Sequence, residues 1–122
     1  EGRILVVDDI EEQRQLCQTL LASLGYQVET VATGREAVAH LQTNDVDVVI
    51  LDMILEPEFD GLDSYLEILK SKPDQKVILV SGHAETARVR TALDRGAAGF
   101  VRKPFTLQQI GVALRDLLHL SE

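Results

Sequence analysis

Val46-Asp-Val-Val-Ile-Leu-Asp52 is apolar at almost every position after Asp47 and stops on a carboxylate. A strand with one wet face would alternate apolar and polar residues. A run that is apolar at successive positions suits a strand buried on both faces, as in a parallel sheet. The same texture returns in Ile4-Leu-Val-Val7, Val28 to Val31, Val77 to Val80 and Gly99-Phe-Val101. Between these runs the apolar spacing turns helical. Leu16, Leu20 and Leu24 fall at i, i+4 and i+8, with Cys17 and Leu21 beside them, and predict one apolar stripe. Shorter stripes follow at Ala37, Val38 and Leu41, at Leu66, Ile68 and Leu69, and weakly at Ala92 and Leu93. The last runs through Leu107, Ile110, Leu114, Leu117 and Leu118.

The punctuation fits this alternation. Thr33-Gly-Arg-Glu36 and Thr106-Leu-Gln-Gln109 read as capping boxes at helix starts. Gly25 and Gly96 stand where helices end on a left-handed residue, and Pro73 lies in the connection before the fourth strand. There are no repeats and no low-complexity tracts. The pattern is β-α five times over, which predicts an α/β fold: a parallel sheet, helices on both faces, right-handed crossovers.

Bulk properties narrow the function. At 122 residues the chain is read as one domain, and 45% hydrophobic residues provide a core. Twelve Lys and Arg against twenty Asp and Glu leave a net charge of −8. That balance disfavours direct contact with nucleic acid, where cations must displace phosphate counterions, and with anionic membrane surfaces. The longest apolar run, Val46 to Leu55, is broken by Asp47 and Asp52, well short of the roughly 20 residues of a membrane span. The single Cys17 makes no internal disulfide, which fits a reducing, cytoplasmic setting. The start without Met, directly before a strand, is read as a domain cut from a longer protein.

In parallel α/β sheets, ligands bind beyond the carboxyl ends of the strands. Asp8-Asp9 follow the first strand, Asp52 the third, Ser81-Gly82 the fourth and Lys103-Pro104 the fifth. Asp8, Asp9 and Asp52 therefore converge. Two like charges about 4 Å apart repel by roughly 4 kcal/mol at an effective dielectric near 20. The cluster thus calls for a cation or raised pKa values. Carboxylate oxygens without a Cys or His pattern favour Mg²⁺ or Mn²⁺ over Zn²⁺. Lys103 adds an ammonium and Ser81 a hydroxyl. Together these parts suit phosphoryl transfer, which depends on positioning and charge neutralisation, with Asp52 as nucleophile at the end of the central strand.

The four segments Ile4-Leu-Val-Val-Asp-Asp9, Val48-Val-Ile-Leu-Asp52, Val80-Ser-Gly82 and Gly99-Phe-Val-Arg-Lys-Pro104, in order and each at a strand end, resemble the receiver domains of two-component response regulators. The resemblance runs from Arg3 to about Leu118 and is similar to the chemotaxis response regulator. It implies a flavodoxin-like, doubly wound (βα)5 sandwich with strand order 2-1-3-4-5, and a receiver spanning residues 1–122. It implies Asp52 as phosphoacceptor, Asp9 as direct Mg²⁺ ligand and Asp8 as holder of metal-bound water. The backbone carbonyl of Ile54 would complete the protein ligands. Lys103 would pair with the carboxylate and then the phosphoryl group. Ser81 and Phe100 would be the switch residues, and Lys103-Pro104 a cis bond. The implied partners are a histidine kinase or a histidine phosphotransfer domain, and a downstream protein on the face of the fourth helix, fifth strand and fifth helix. A homodimer is compatible with this reading.

Two departures stand out. The Asp60-Gly61 pair comes one residue later than in most members, so the acidic loop after the third strand (Glu56, Glu58, Asp60) is expected to be reshaped. Ile54 and His83 lie where family side chains tune attack of water on the acyl phosphate, and an apolar Ile54 implies slow dephosphorylation. Plainer readings compete at several positions. Asp9 with Glu12 suits an N-cap box, Ser81 a turn, Phe100 and Cys17 core. Asp60-Gly61 reads as a turn and helix start. His40, His83 and His119 read as surface. A Mg²⁺-dependent aspartyl-phosphate phosphohydrolase is the alternative function, although the chain lacks a cap domain to bind a substrate. A flavin module ranks last, because Asp8-Asp9-Ile-Glu-Glu12 would repel a bare phosphate.

Overall fold

The computed structural model describes residues 2–119; Glu1, residues 120–122 and the side chain of His119 lie outside the described set. Ten elements alternate among the described residues. They are β1 (Arg3–Val7), α1 (Glu11–Ser23), β2 (Gln27–Val31), α2 (Gly34–Thr43), β3 (Val48–Asp52), α3 (Gly61–Ser71), β4 (Lys76–Ser81), α4 (Ala87–Asp94), β5 (Gly99–Arg102) and α5 (Leu107–His119). All strand pairs are parallel, in the order β2-β1-β3-β4-β5. The fold and strand order expected from the sequence are both found.

The central strands are buried on both sides because successive side chains enter different cores. Leu5, Val7, Val49, Leu51, Val77 and Leu79 meet α2, α3 and α4 through Ala37, Leu41, Leu62, Tyr65, Ile68, Val89 and Ala92. Ile4, Val6, Val48, Ile50, Ile78 and Val80 meet α1 and α5 through Cys17, Leu21, Ile110 and Leu114. Each fully buried aliphatic side chain contributes about 1.5–3 kcal/mol relative to exposure. β3 starts at Val48, two residues into the apolar run, because Asp47 is engaged at the other end of the sheet. Its Oδ2 accepts from the Arg3 amide at 2.7 Å, and its own amide donates to the Arg3 carbonyl at 2.8 Å.

The starts of α2, α3 and α5 follow the sequence signals. Thr33 and Glu36 form a reciprocal box at α2, Asp60 and Asp63 another at α3, and Thr106 and Gln109 a third at α5. Gly25 and Gly96 follow α1 and α4 at φ 97° and 113°, a region that favours glycine. The Lys103-Pro104 bond is cis.

α1 corrects the sequence reading twice. Its buried residues are Cys17 and Leu21, whereas Leu16 and Leu24 are 60% and 42% exposed. The Leu16-Leu20-Leu24 row is a true helical stripe, but the sheet takes the adjacent one. Asp9 is not the N-cap. The helix begins after Ile10 without a side-chain cap. The carboxylate that turns inward is Asp8, whose Oδ1 accepts from the Ile10 amide at 2.9 Å, while Asp9 stays exposed. α3 is anchored by Leu62, Tyr65 and Ile68, with Leu66 and Leu69 only half-buried. In α5, Leu107 stays exposed and Ile110 and Leu114 are buried. His40 is half-buried, its ring Nε2 3.1 Å from Glu29 Oε1, and His83 is exposed. Among the described residues, no helix is long and apolar enough to cross a membrane.

Candidate functional site

The carboxyl ends of β1, β3, β4 and β5 lie side by side because the strands run parallel in register. They bring together Asp8, Asp52, Ser81 and Lys103. Asp8, Asp52 and Ser81 are buried, at 5%, 5% and 3% exposure. Asp9 completes the acidic group from the exposed side. The three carboxylates each offer an oxygen, and those oxygens lie within 4.8 Å of one another. An all-carboxylate donor set with one open side fits a hard divalent ion that keeps part of its water shell.

Asp8 and Asp52 are oriented by the same local device. Asp8 Oδ1 accepts from the Ile10 amide at 2.9 Å, and Asp52 Oδ1 accepts from the Ile54 amide at 3.0 Å. In each case the amide two residues on fixes one oxygen, as in an Asx turn. The second oxygen faces Lys103, whose Nζ donates to Asp8 Oδ2 at 2.7 Å and to Asp52 Oδ2 at 2.8 Å. A third donation goes to Gln13 Oε1 at 2.6 Å. Burial lifts the Asp52 carboxyl above its usual range, more than the Lys103 and Ile54 donors pull it down, and the Asp8 charge adds to the rise. For Lys103, burial works against the charged form. Its hydrogen bonds to Asp52 and Asp8 outweigh that and hold the ammonium above its usual range.

Ser81 ends β4 with its Oγ accepting from the His83 amide at 3.2 Å, a bond that braces the loop after the strand. Its carbonyl accepts from the Lys103 amide at 2.7 Å, which extends the β4–β5 pairing to the lysine. Phe100 is half-buried and packs against the α2–α3–α4 core. Ile54 presents its side chain to solvent, at 52% exposure.

The loop after β3 is closed by two backbone hydrogen bonds. A turn closed by the Phe59 amide on the Glu56 carbonyl (3.1 Å) takes up the length around Pro57 and Glu58. The loop is shut by the Gly61 amide on the Met53 carbonyl at 3.0 Å. Gly61 is required there, because a Cβ would lie 2.5 Å from Met53 Cα and 2.6 Å from the Asp52 carbonyl oxygen. Two arginines pin the loop from either side. The Arg35 guanidinium of α2 sits 4.4 Å from the Phe59 ring centre, and Arg88 of α4 binds Asp60. Sequence reading missed these anchors and Gln13. Only Gln13 carried a signal: it lies one helical turn beyond Asp9, over the helix start.

A groove of about 460 Å³ opens beside the site, between α1 and the β5–α5 connection; Leu16, Cys17, Leu20, Lys103, Pro104 and Phe105 line it.

The response regulator receiver domain model matches residues 4–115. The chain belongs to that family. Chemotaxis protein CheY of Thermotoga maritima is 36% identical over 116 residues, covering 94% of this chain and 96% of that protein. Response regulator SaeR of Staphylococcus aureus is 33% identical over 115 residues; the match covers 94% of this chain but only 50% of SaeR. The crystal structure of a response regulator receiver domain protein from Clostridium thermocellum superposes with a TM-score of 0.90 at 32% identity, over 99% of this chain and 97% of that one. The chain is thus a receiver domain, the phosphoaccepting signalling module of two-component systems. Receiver domains bind Mg²⁺ at an acidic pocket and interact with histidine kinases or phosphotransfer partners.

Proposed function

We propose that Asp52 is the phosphoacceptor and takes its phosphoryl group from a phosphohistidine on a histidine kinase or a histidine phosphotransfer domain. The observation that carries this reading is the Lys103 ammonium bridging Asp52 Oδ2 and Asp8 Oδ2 at the carboxyl edge of the sheet. A carboxylate oxygen of Asp52 attacks phosphorus. The new P–O bond forms as the P–N bond to the imidazole breaks, and the ring nitrogen keeps the electron pair. Lys103, whose three donors are already engaged, then gives up one carboxylate contact to bind a phosphoryl oxygen. The Ser81 hydroxyl uses only its oxygen toward His83, so its proton is available to a phosphoryl oxygen.

Asp9, Asp52 and the Ile54 carbonyl are the proposed Mg²⁺ ligands, with Asp8 holding a metal-bound water; Mn²⁺ suits the same donors. Bound there, the ion would neutralise the carboxylates and draw charge from the phosphoryl oxygens. Ser81 drawn toward the phosphoryl group vacates space beside β4, and Phe100 moves inward. The face formed by α4, β5 and α5 then changes for a downstream protein. The donor approaches along the groove beside α1. We read the domain as a cytoplasmic switch whose catalysis is confined to its own phosphorylation and dephosphorylation. Nothing in this scheme needs direct contact with nucleic acid or membrane.

The test is phosphorylation of the chain by a small-molecule phosphodonor with Mg²⁺, read by mass. The added phosphoryl group should be lost in Asp52→Asn and kept in Asp60→Asn, since Asn also caps a helix. Modification surviving in Asp52→Asn would sink the assignment.

A further inference from the structure

Gln13 occupies the third helical position of α1, where Gln usually reaches back to the amide of its own N-cap. α5 shows that habit: Gln109, at the same position, accepts from the Thr106 amide at 2.8 Å. In α1 the back-bond is not available to Gln13. The N-cap amide, Ile10, is already taken by Asp8 Oδ1. The Gln13 carboxamide turns outward across the site instead, and its Oε1 accepts from Lys103 Nζ at 2.6 Å.

An ammonium has three donors. Here two go to buried carboxylates and the third to Gln13, so every proton of Lys103 has a named acceptor. Lysine is a compact charge on a flexible four-carbon stem and does not hold a direction by itself. Three acceptors at separate points fix both the position of Nζ and its rotation. The third is neutral, so it adds no charge to a place that already holds Asp8, Asp9 and Asp52 and must admit a phosphoryl group. Gln13 is exposed and has no part in either core, so its contact with Lys103 is not a by-product of packing.

We infer that Gln13 is a positioning residue for Lys103, setting the ammonium toward the phosphoryl group; this rests on the phosphoacceptor reading above. No bond to phosphorus is made or broken by Gln13 itself. Two measurements on the intact chain test it. The first is solvent exchange of the Lys103 ammonium protons, followed by NMR in metal-free protein without any phosphodonor. In the wild type they should exchange far more slowly than those of exposed Lys70. Gln13→Met, of similar size but lacking the carbonyl, should weaken the protection several-fold, since one donor is freed to water while two stay on the carboxylates. Gln13→Glu, which keeps an acceptor oxygen, should retain it. Protection weakened in both variants or in neither overturns the inference. So does a wild-type Lys103 that exchanges as fast as Lys70.

The second measurement is the rate of phosphorylation by a small-molecule donor with Mg²⁺. Gln13→Met should slow it several-fold with thermal stability unchanged; an unchanged rate overturns the role in transfer. The exchange experiment stands even if Asp52 proves not to be the acceptor, so the two failures are distinguishable.

Discussion

Arg88 and Asp60 meet in a two-pronged pair, Nε to Oδ2 at 2.6 Å and Nη2 to Oδ1 at 2.9 Å, and the same Nη2 reaches Asp63 Oδ1 at 3.2 Å. The contact ties the first turn of α4 to the cap of α3 and to the loop that leaves the site. Arg88→Ala should cost about 1 kcal/mol at neutral pH in urea unfolding, a modest figure because the guanidinium is half exposed and screened. Arg88→Lys keeps the charge but loses the fork, and should recover only part of it.

The same pair has a pH signature. Burial raises the Asp60 carboxyl, but the Arg88 hydrogen bonds, with those at Asp63, outweigh it and hold it below its usual range. A depressed carboxyl contributes stability that is present above its unfolded value, about 3.9, and is lost as pH falls through the folded one. The stability gap between wild type and Arg88→Ala should therefore be constant from pH 7 to about 5 and close as the acid range is entered. A gap that widens on acidification would contradict the pairing.

Gly61→Ala should destabilise by about 1–3 kcal/mol, the usual range for overpacking, because the atoms in its way are backbone atoms of Met53 and Asp52. Gly82→Ala is the control. A Cβ there meets nothing within 4 Å, so urea midpoints should separate the two variants clearly.

Ile54 offers attacking water no hydrogen bond, which predicts a long-lived acyl phosphate. Ile54→Asn should shorten the phosphoryl half-life after donor removal. A half-life unchanged or longer would refute the role given to this side chain.

Cys17 should be inert. Burial, then the nearby Asp8 charge, push its thiol up to about 11. At pH 8 the thiolate is thus about one part in a thousand, before access is considered. Alkylation should be slow in the native chain and fast in urea.

Much of this molecule was open to reading in one dimension. The strands announce themselves because both faces of the sheet are covered, so Val48 to Leu51 carry apolar side chains without a break. Strand ends then deliver Asp8, Asp52, Ser81 and Lys103 to one edge with no further information needed. The α1 stripe misled because periodicity shows that a helix has an apolar face, not which of two adjacent faces the sheet takes; the smaller Cys17 went inside and Leu16 stayed out. The loop anchors left no trace. Arg35 with Phe59, and Arg88 with Asp60, join residues far apart along the chain, and no spacing rule links them. Gln13 was hidden by its own ordinariness, since a Gln at that place in a helix has a local job elsewhere in this same fold.

Each acid's orientation by its own following amide bears on how the site comes into being. Asp8 and Asp52 each have one oxygen fixed within their own strand end, so part of the site's geometry is local to β1 and β3 and only the second oxygens depend on the lysine between them. A chain lacking that lysine should keep the two local amide bonds while the unbalanced Oδ2 atoms of Asp8 and Asp52 repel each other.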